Sequence, residues 1–317
     1  SFGAVDDHYF FLGGLADSNV GGRGHKVIAY AQYDRMFSYS LLSRWNRIRQ
    51  SNWGLEASVV RWRTIEPAYI EDLTVDYNYS NEAYGISAIK HYDWQSEVHF
   101  GGTYFVENYE SRTFQTEVPN SLMTRKWQGK IFWRHSRFNY DSFYVEGWGH
   151  DLWLQSVVSL DGDPRFDIAF NQLTYFKRIG ERGNWANRIK TGWSTNSPSP
   201  FAPFVLDSYL NIRGSGNRVD RGTGTVVINS EYRHTMFDFG NFAAQGVAFV
   251  DAGSWRGPGE DLDRMLDTEN MILFTGIGVR LIAPRINGAV LQIDYAVSPM
   301  GMGMLNNGFV VGLGQFF

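Results

Sequence analysis

Apolar and polar residues alternate along four successive segments in the last third of the chain, which is the period of β-strands with two different faces. In each segment the charged residues share one parity, and the opposite parity carries no charge. The charged positions are Glu231 and Arg233 in residues 225–233, Asp251 in 243–253, Arg280 in 271–282, and Asp294 in 288–298. This pattern predicts antiparallel strands with one charged and one uncharged face.

A soluble sheet with one wet face would show the same alternation. Two features favour a membrane β-barrel instead: several strands reach ten residues, and uncharged faces end in aromatic residues such as Tyr232, Phe242 and Tyr295. We therefore predict an all-β fold, a sixteen-stranded antiparallel transmembrane β-barrel. The predicted strands are residues 7–16, 25–36, 37–47, 52–63, 71–80, 83–92, 95–109, 122–138, 149–161, 165–178, 184–195, 222–235, 242–253, 270–283, 287–298 and 306–317.

Composition agrees with this prediction and excludes other classes. Aromatic residues make up 16% of the 317 residues, as the interfacial girdles of a barrel would require, and the mean hydropathy is -0.31. A net charge of -4 argues against nucleic acid as a partner, because phosphate backbones need a basic face. The chain has no cysteine, which excludes disulfides and thiolate metal sites. No apolar run reaches the length of a membrane-spanning helix.

We find no linker, repeat or shift in composition, so residues 1–317 are predicted to form a single barrel domain. The chain begins at Ser1 without a signal-like segment, and we expect that a signal peptide has been removed or that the chain is a fragment.

The stretch from Phe204 to Gly222, with the Pro-rich residues before it, is longer than most loops of compact domains. Its "NIRGSG" resembles the Val/Ile-Arg-Gly-aromatic loop signature of the Omp85 superfamily, the outer-membrane assembly and secretion barrels. "INSEYR" is similar to the next strand of that family, with an inward glutamate, and "VAFVDAGSW" to the following strand with Phe-x-Asp-x-Gly. The resemblance covers nearly the whole chain but is specific only from about residue 200 onward. It implies a loop folded into the barrel between strands 11 and 12.

A guanidinium inside a narrow lumen needs a partner, and its planar fork suits carboxylates. Glu231 and Asp251 both face inward by parity. We therefore predict a lumen latch, formed by Arg213, Gly214, Glu231 and Asp251, in which Arg213 docks near the two carboxylates. The alternative is a surface loop with a solvated arginine. Ser215 departs from the family, which usually carries an aromatic residue there.

The resemblance also implies a weak seam where the first and last strands meet and can open sideways. Glycines in strands weaken local pairing, so the candidate seam residues are Gly13 and Gly14 in the first strand and Gly312, Gly314 and Phe317 in the last. Close packing of these glycines against lumen contents is an equally good explanation. A terminal aromatic residue such as Phe317 resembles the recognition signal of outer-membrane proteins.

Catalytic and metal-binding patterns are missing from the sequence. The seven histidines form no His-x-x-x-His pair, and no Gly-x-Ser-x-Gly occurs. The acidic residues 259–270 lack the spacing of a calcium loop and predict a solvated loop with a short helical turn. We expect no enzymatic activity, no cofactor and no metal.

The resemblance implies a bacterial outer-membrane protein that inserts, assembles or translocates other proteins. Its partners would be the lipid bilayer, client outer-membrane or secreted proteins, and periplasmic or outer-membrane subunits. Members of that family normally carry periplasmic domains before the barrel, whereas the predicted strands here begin near Ser1. We expect either that such domains were cut away or that the chain is a barrel-only member. The alternatives are a non-inserting scaffold subunit of a larger complex and a passive channel, which an inward loop would occlude.

Overall fold

The chain forms one large antiparallel sheet and one small two-stranded ribbon. The computed structural model describes residues 2–5, 8–34, 36–70, 73–112, 119–195, 204–206, 211–215, 220–285, 289–299, 307–314 and 317. The strands are β1 (Phe2–Val5), β2 (His8–Val20), β3 (His25–Asp34), β4 (Met36–Trp45), β5 (Trp53–Ile70), β6 (Leu73–His91), β7 (Ser96–Ser111), β8 (Ser121–Asp141), β9 (Tyr144–Ser159), β10 (Phe166–Ile179), β11 (Gly183–Ser194), β12 (Phe204–Leu206), β13 (Asp220–Gly222), β14 (Gly224–Asp238), β15 (Ala243–Arg256), β16 (Met271–Ile282), β17 (Val290–Val297) and β18 (Asn307–Leu313).

Each strand of the large sheet pairs with its neighbours in sequence, with two exceptions. β11 pairs with β14, because β12 and β13 pair only with each other in the connection between them. β18 pairs with β1 through Gly3↔Gly312, Ala4↔Val311 and Val5↔Val310. Since β1 also pairs with β2, this contact joins the two ends of the sheet into a closed barrel.

The outer face of the sheet is apolar and the inner face is polar. Outward side chains remain exposed, for example Ile228 (46%), Val250 (45%) and Ile277 (67%). Charged side chains, including Glu231 and Arg280, alternate with them along the strands and are buried on the inner face. This inverted distribution is typical of a barrel whose outer surface contacts lipid. It also confirms the inward parity predicted for the charged residues of the segments 225–233, 243–253, 271–282 and 288–298.

The predicted number of sixteen strands is reached only when the short β1 is counted, and one predicted boundary between strands is wrong. Among the described residues, the large sheet has fifteen strands of seven or more residues and the four-residue β1. The predicted segments 71–80 and 83–92 form a single strand, β6, and β1 precedes the segment that we predicted as the first strand, 7–16.

β6 is continuous because polar residues in a barrel strand can still find partners. The amide of Asn81 donates to the Tyr79 hydroxyl at 2.9 Å, and Glu82 forms an ion pair with Arg61 of β5 at 3.2 Å. Asn81 and Glu82 stay in register with β5 and β7. A polar dipeptide that suggests a turn in a soluble sheet is therefore compatible with an uninterrupted strand here.

The connection between β15 and β16 contains two short 3-10 helices, Leu262–Leu266 and Thr268–Asn270. The helical turn predicted for the acidic residues 259–270 is thus present. Within the described part of the chain, no helix has both the length and the apolar character needed to cross a membrane.

A buried apolar cluster lies on the inner side of β14–β17 and receives the loop between β11 and β14. Ile212 of the loop is fully buried in it. Its other members come from the barrel wall, namely Val227, Val247, Phe249, Ile272, Phe274 and Ala296. The cluster fixes the position of the loop next to the charged residues of the same wall.

Candidate functional site

Arg213 occupies the centre of the buried polar site inside the barrel. Its Nε and Nη2 atoms donate to the two carboxylate oxygens of Asp251 at 2.7 and 3.0 Å, which is the bidentate fork geometry. Its Nη1 donates to Glu231 at 2.6 Å and to Asp294 at 3.3 Å. The side chains of all four residues are fully buried. The structure therefore places Arg213 beside Glu231 and Asp251, as their inward parity predicts.

Two further arginines of the wall complete the site. Arg280 donates to both oxygens of Asp294, at 2.5 and 3.1 Å, and lies 3.5 Å from Glu231. Arg233 donates through Nε to Glu231. Sequence analysis did not assign Asp294, Arg280 or Arg233 to the latch, although each shares the inward parity of its strand.

The direct ion pairs around Arg213 join equal numbers of opposite charges. The cations are Arg213, Arg233 and Arg280, and the anions are Glu231, Asp251 and Asp294. Neutrality matters because an isolated buried charge costs several kcal/mol, whereas a fully hydrogen-bonded set recovers that cost. Removing one member would leave uncompensated charge in the lumen.

Arg213 stays charged despite its burial. Burial by itself would lower the pKa of the guanidinium, but the attraction of Asp251 and Glu231 outweighs this effect and raises the pKa above its usual range. The Phe249 ring lies beneath the guanidinium, 3.6 Å from ring centroid to Cζ, and adds a cation–π contact.

The segment 212–215 forms a tight turn that presents Arg213 to the wall. Ser215 donates its backbone N–H and its hydroxyl to the Ile212 carbonyl oxygen, at 3.3 and 2.9 Å. Gly214 is the third residue of this turn and has φ +88°, a conformation that favours glycine. A Cβ on Gly214 would lie 2.6 Å from the Ala296 Cβ atom. The turn and the close approach together explain why glycine follows the arginine.

Ser215 closes the turn by hydrogen bonding instead of the ring packing expected at that position in the resembled family. It is 6% exposed. We predict that Ser215→Ala lowers the free energy of unfolding by about 0.5–1.5 kcal/mol, because one buried hydrogen bond is lost. Urea denaturation followed by tryptophan fluorescence measures the change. Ser51→Ala, which removes a solvent-exposed hydroxyl bond to the Trp53 carbonyl, is the control. Equal shifts in both variants would contradict a role for the Ser215 hydroxyl in the turn.

Asn229 connects the loop backbone to the latch. Its side-chain amide donates to the Asn211 carbonyl oxygen at 2.7 Å and to Asp251 at 2.8 Å. Its oxygen accepts two bonds from Arg188, at 2.8 and 3.0 Å. Parity showed that Asn229 faces inward, but only the folded loop reveals its backbone partner.

The structure does not bring the five candidate seam residues together. Gly312 lies in β18 and pairs with Gly3 of β1, so it is at the junction of the last and first strands. Gly13 and Gly14 lie in β2, where they pair with Ala31 and Tyr30 of β3. We predicted that Gly13 and Gly14 lie in the strand that pairs with the last strand. This was wrong, because β1 lies between β2 and β18 in the sheet.

Gly14 has a packing role next to an aromatic ring. A Cβ there would lie 2.5 Å from Cδ1 of Tyr30 on β3. Gly314 follows the end of β18 with φ +116° and donates its N–H to the Val290 carbonyl oxygen at 2.7 Å. Local packing at Gly14 and backbone conformation at Gly314 therefore explain why glycine occupies these positions without a seam.

Phe317 lies outside the last strand, which ends at Leu313, and the predicted strand 306–317 is too long. Its carbonyl oxygen accepts a hydrogen bond from Arg233 at 2.9 Å. Its ring centroid is 4.7 Å from the Arg188 guanidinium carbon and 6.4 Å from the Phe176 ring centroid. Phe317 contacts inward-facing side chains, because buried arginines offer both a donor and a cation–π partner.

The chemistry of the site is electrostatic. Arginines and carboxylates in direct ion pairs hold a loop in place but leave no open coordination position or nucleophile–base pair. The described residues contain no group of three His, Cys, Asp or Glu side chains arranged to hold a metal ion.

Comparisons with known proteins give matches in structure but not in sequence. No protein-family model matches the chain, and no curated protein sequence matches it. In structure it is similar to BamA from Haemophilus ducreyi lacking POTRA domains 1-3, with a TM-score of 0.71 and 11% identity, over 98% of this chain and 68% of that one.

The chain is also similar to two CdiB structures. For CdiB from Acinetobacter baumannii the TM-score is 0.65 with 12% identity, over 99% of this chain and 58% of that one. For CdiB from Escherichia coli the TM-score is 0.66 with 9% identity, over 98% and 61%. The chain thus spans about three fifths to two thirds of the length of these structures. Its fold matches that of the Omp85 barrels, as the three motifs led us to expect.

Proposed function

We propose that this chain is a transmembrane barrel of the bacterial outer membrane, sixteen-stranded when β1 is counted, that takes part in the insertion, assembly or translocation of proteins. The observation that carries the proposal is the buried Arg213 network, which fixes an inward loop in a barrel with the fold of BamA and CdiB. The exposed apolar outer face supports the location in lipid. Residues 1–317 form one domain in this proposal.

The mechanism is mechanical and uses the junction of β1 and β18 as a seam. This junction has three register pairs among the described residues, whereas β17 and β18 have seven. Among the described residues β1 has three register pairs with β18 and four with β2, so few backbone pairs hold this strand, and we place the opening at its junction with β18. An opened edge exposes unpaired N–H and C=O groups that can pair with a strand of a client protein. The partners are the bilayer, client proteins and periplasmic or outer-membrane subunits, and no cofactor takes part.

A non-inserting scaffold is the second candidate function. It is favoured by the complete burial of the charges of Arg213, Glu231 and Asp251, which suits a permanently shut lumen. The two candidates differ in whether the purified barrel accelerates the insertion of a client.

We predict that the barrel, reconstituted in liposomes, increases the protease-protected yield of a urea-unfolded eight-stranded outer-membrane protein. We further predict that a disulfide between Ala4→Cys and Val311→Cys, which replace residues paired across the seam, abolishes this increase until a reductant is added. The chain has no other cysteine, so the cross-link is unique.

The control disulfide joins Ile293→Cys to the same Val311→Cys, across β17 and β18. It should leave the insertion yield unchanged, because those strands stay paired when the seam opens. Full activity with the oxidised seam pair would exclude lateral opening. A yield no higher than that of empty liposomes would exclude insertion and favour the scaffold.

A further inference from the structure

A groove lies on the outer face of the barrel, behind the wall that carries the lumen latch. It runs along two neighbouring cross-strand rows of β11 and β14–β17. One row is Trp185, Tyr232, Ala248, Ile277 and Tyr295, and the other is Ser230, Val250, Thr275 and Val297. We call the small side chains of Ala248 and Ser230 the floor of the groove. The rings of Trp185 and Tyr232 lie at one end of the first row, and the ring of Tyr295 lies at the other end.

We propose that this groove binds one acyl chain of a membrane lipid. The proposal rests on the proposed function, since it requires that the outer face lies in a bilayer. The groove has a volume of about 490 Å³, and none of the described residues that line it is charged. This volume lies within the roughly 300–1,000 Å³ of small-ligand sites, a range that accommodates one acyl chain.

The polar atoms of the floor are already paired with protein groups. The Ser230 hydroxyl accepts a hydrogen bond from Trp185 Nε1 at 3.0 Å and donates to the Asn187 side-chain oxygen at 2.9 Å. Because these groups need no external partner, the floor suits a hydrocarbon better than a polar peptide or a headgroup. The groove is also continuous with exposed apolar side chains around it, including Ile228 and Ile293.

The wall between groove and latch is thin at one point. Phe249 and Gly276 contribute to the groove, and the Phe249 ring on the lumen side lies beneath Arg213. A Cβ on Gly276 would lie 2.4 Å from Cζ of that ring, so only glycine leaves the space that the ring fills. A lipid chain in the groove would therefore pack against the backbone that supports the latch.

The test titrates the barrel in lipid-free detergent micelles with phosphatidylethanolamine that carries brominated acyl chains, since bromine quenches nearby tryptophan. The contribution of Trp185 is the difference between the parent and Trp185→Phe. The contribution of Trp127, an outward residue of β8 that is 51% exposed, is obtained in the same way and serves as the reference. We expect quenching of Trp185 to saturate at one lipid per barrel, while quenching of Trp127 rises in proportion to the lipid content of the micelle.

A pair of matched variants tests the groove itself. Ala248→Leu fills the floor and should require about tenfold more lipid for half-quenching of Trp185, as expected when a hydrophobic pocket loses this much space. Ala169→Leu makes the same change on the outer face of β10, where the neighbours across the strands are Leu154 and Trp193, and should leave the titration unchanged.

Each other outcome has a separate meaning. Parallel, unsaturated quenching of Trp185 and Trp127 would overturn the lipid site and leave the membrane barrel intact. The same holds if Ala248→Leu titrates like the parent. If neither tryptophan is quenched, the outer face does not lie in lipid, and the proposed function fails together with the site.

Discussion

Replacing Arg213 with alanine is expected to lower the free energy of unfolding by about 3–5 kcal/mol, the usual cost of removing one partner from a buried ion pair. The substitution removes the cation that Asp251 binds in a bidentate fork and that Glu231 contacts at 2.6 Å. Both carboxylates would remain in the lumen, where water cannot fully solvate them. Urea denaturation of the barrel in detergent micelles, followed by tryptophan fluorescence, measures the loss.

Three further variants separate charge from packing. Arg264→Ala removes an arginine that is 47% exposed and paired with Asp267, so it should cost less than about 1 kcal/mol. Arg213→Lys keeps the charge but not the planar fork and should give an intermediate loss. Removing Asp251 together with Arg213 should restore part of the stability, because the unpaired carboxylate is gone. Equal losses for Arg213→Ala and Arg264→Ala would show that the latch contributes no more than a surface ion pair.

Replacing Gly214 with alanine is expected to lower the free energy of unfolding by about 2–5 kcal/mol, which combines two effects. A left-handed backbone costs an L-residue about 1–2 kcal/mol, and overpacking adds about 1–3 kcal/mol. The new Cβ would lie 2.6 Å from the Ala296 Cβ atom and 2.9 Å from a ring carbon of Phe274. Because neither neighbour is the end of a flexible side chain, we expect the turn to shift away from the wall. The same denaturation experiment measures the loss.

Gly240→Ala is the matched control for this prediction. Gly240 has φ +75°, close to that of Gly214, but a Cβ there meets nothing within 4 Å. Gly240→Ala should therefore lower the free energy of unfolding only by the cost of a left-handed backbone, about 1–2 kcal/mol. If the two variants lose the same stability, the contact between the loop and the wall at Ala296 and Phe274 does not hold the loop.

The residues on the inner face of the last strands were predictable from the sequence, because the charged residues of each of the four alternating segments between residues 225 and 298 share one parity. A charge at the lipid face is costly, so Glu231, Asp251 and Arg280 had to face the lumen once a barrel was assumed. Arg213 was predictable as their partner because, within an overlong loop, it lies in a recognisable motif. The third carboxylate that Arg213 contacts, Asp294, was not assigned, since its distance from the loop depends on strand register and on the depth of insertion.

The predictions failed where local pattern and tertiary context disagree. We divided residues 71–92 into two predicted strands at Asn81 and Glu82, but pairing with β5 and β7 keeps β6 continuous there. β1 is only four residues long and has no periodicity to detect, yet it determines which strands meet at the seam. The contacts of Phe317 with Arg188 and Arg233 could not be inferred either, because its parity continues that of the outward residues of β18.

By itself, the sequence determined the all-β class, the inward parity of the charged residues and the arginine–glycine motif of the loop, since each can be recognised from local period, charge or a short motif. The tertiary structure decided which charges meet, where the barrel closes and which outer residues form a groove. These features depend on contacts between segments far apart in the chain. Strand register and loop depth set them, and neither is encoded in a short stretch of residues.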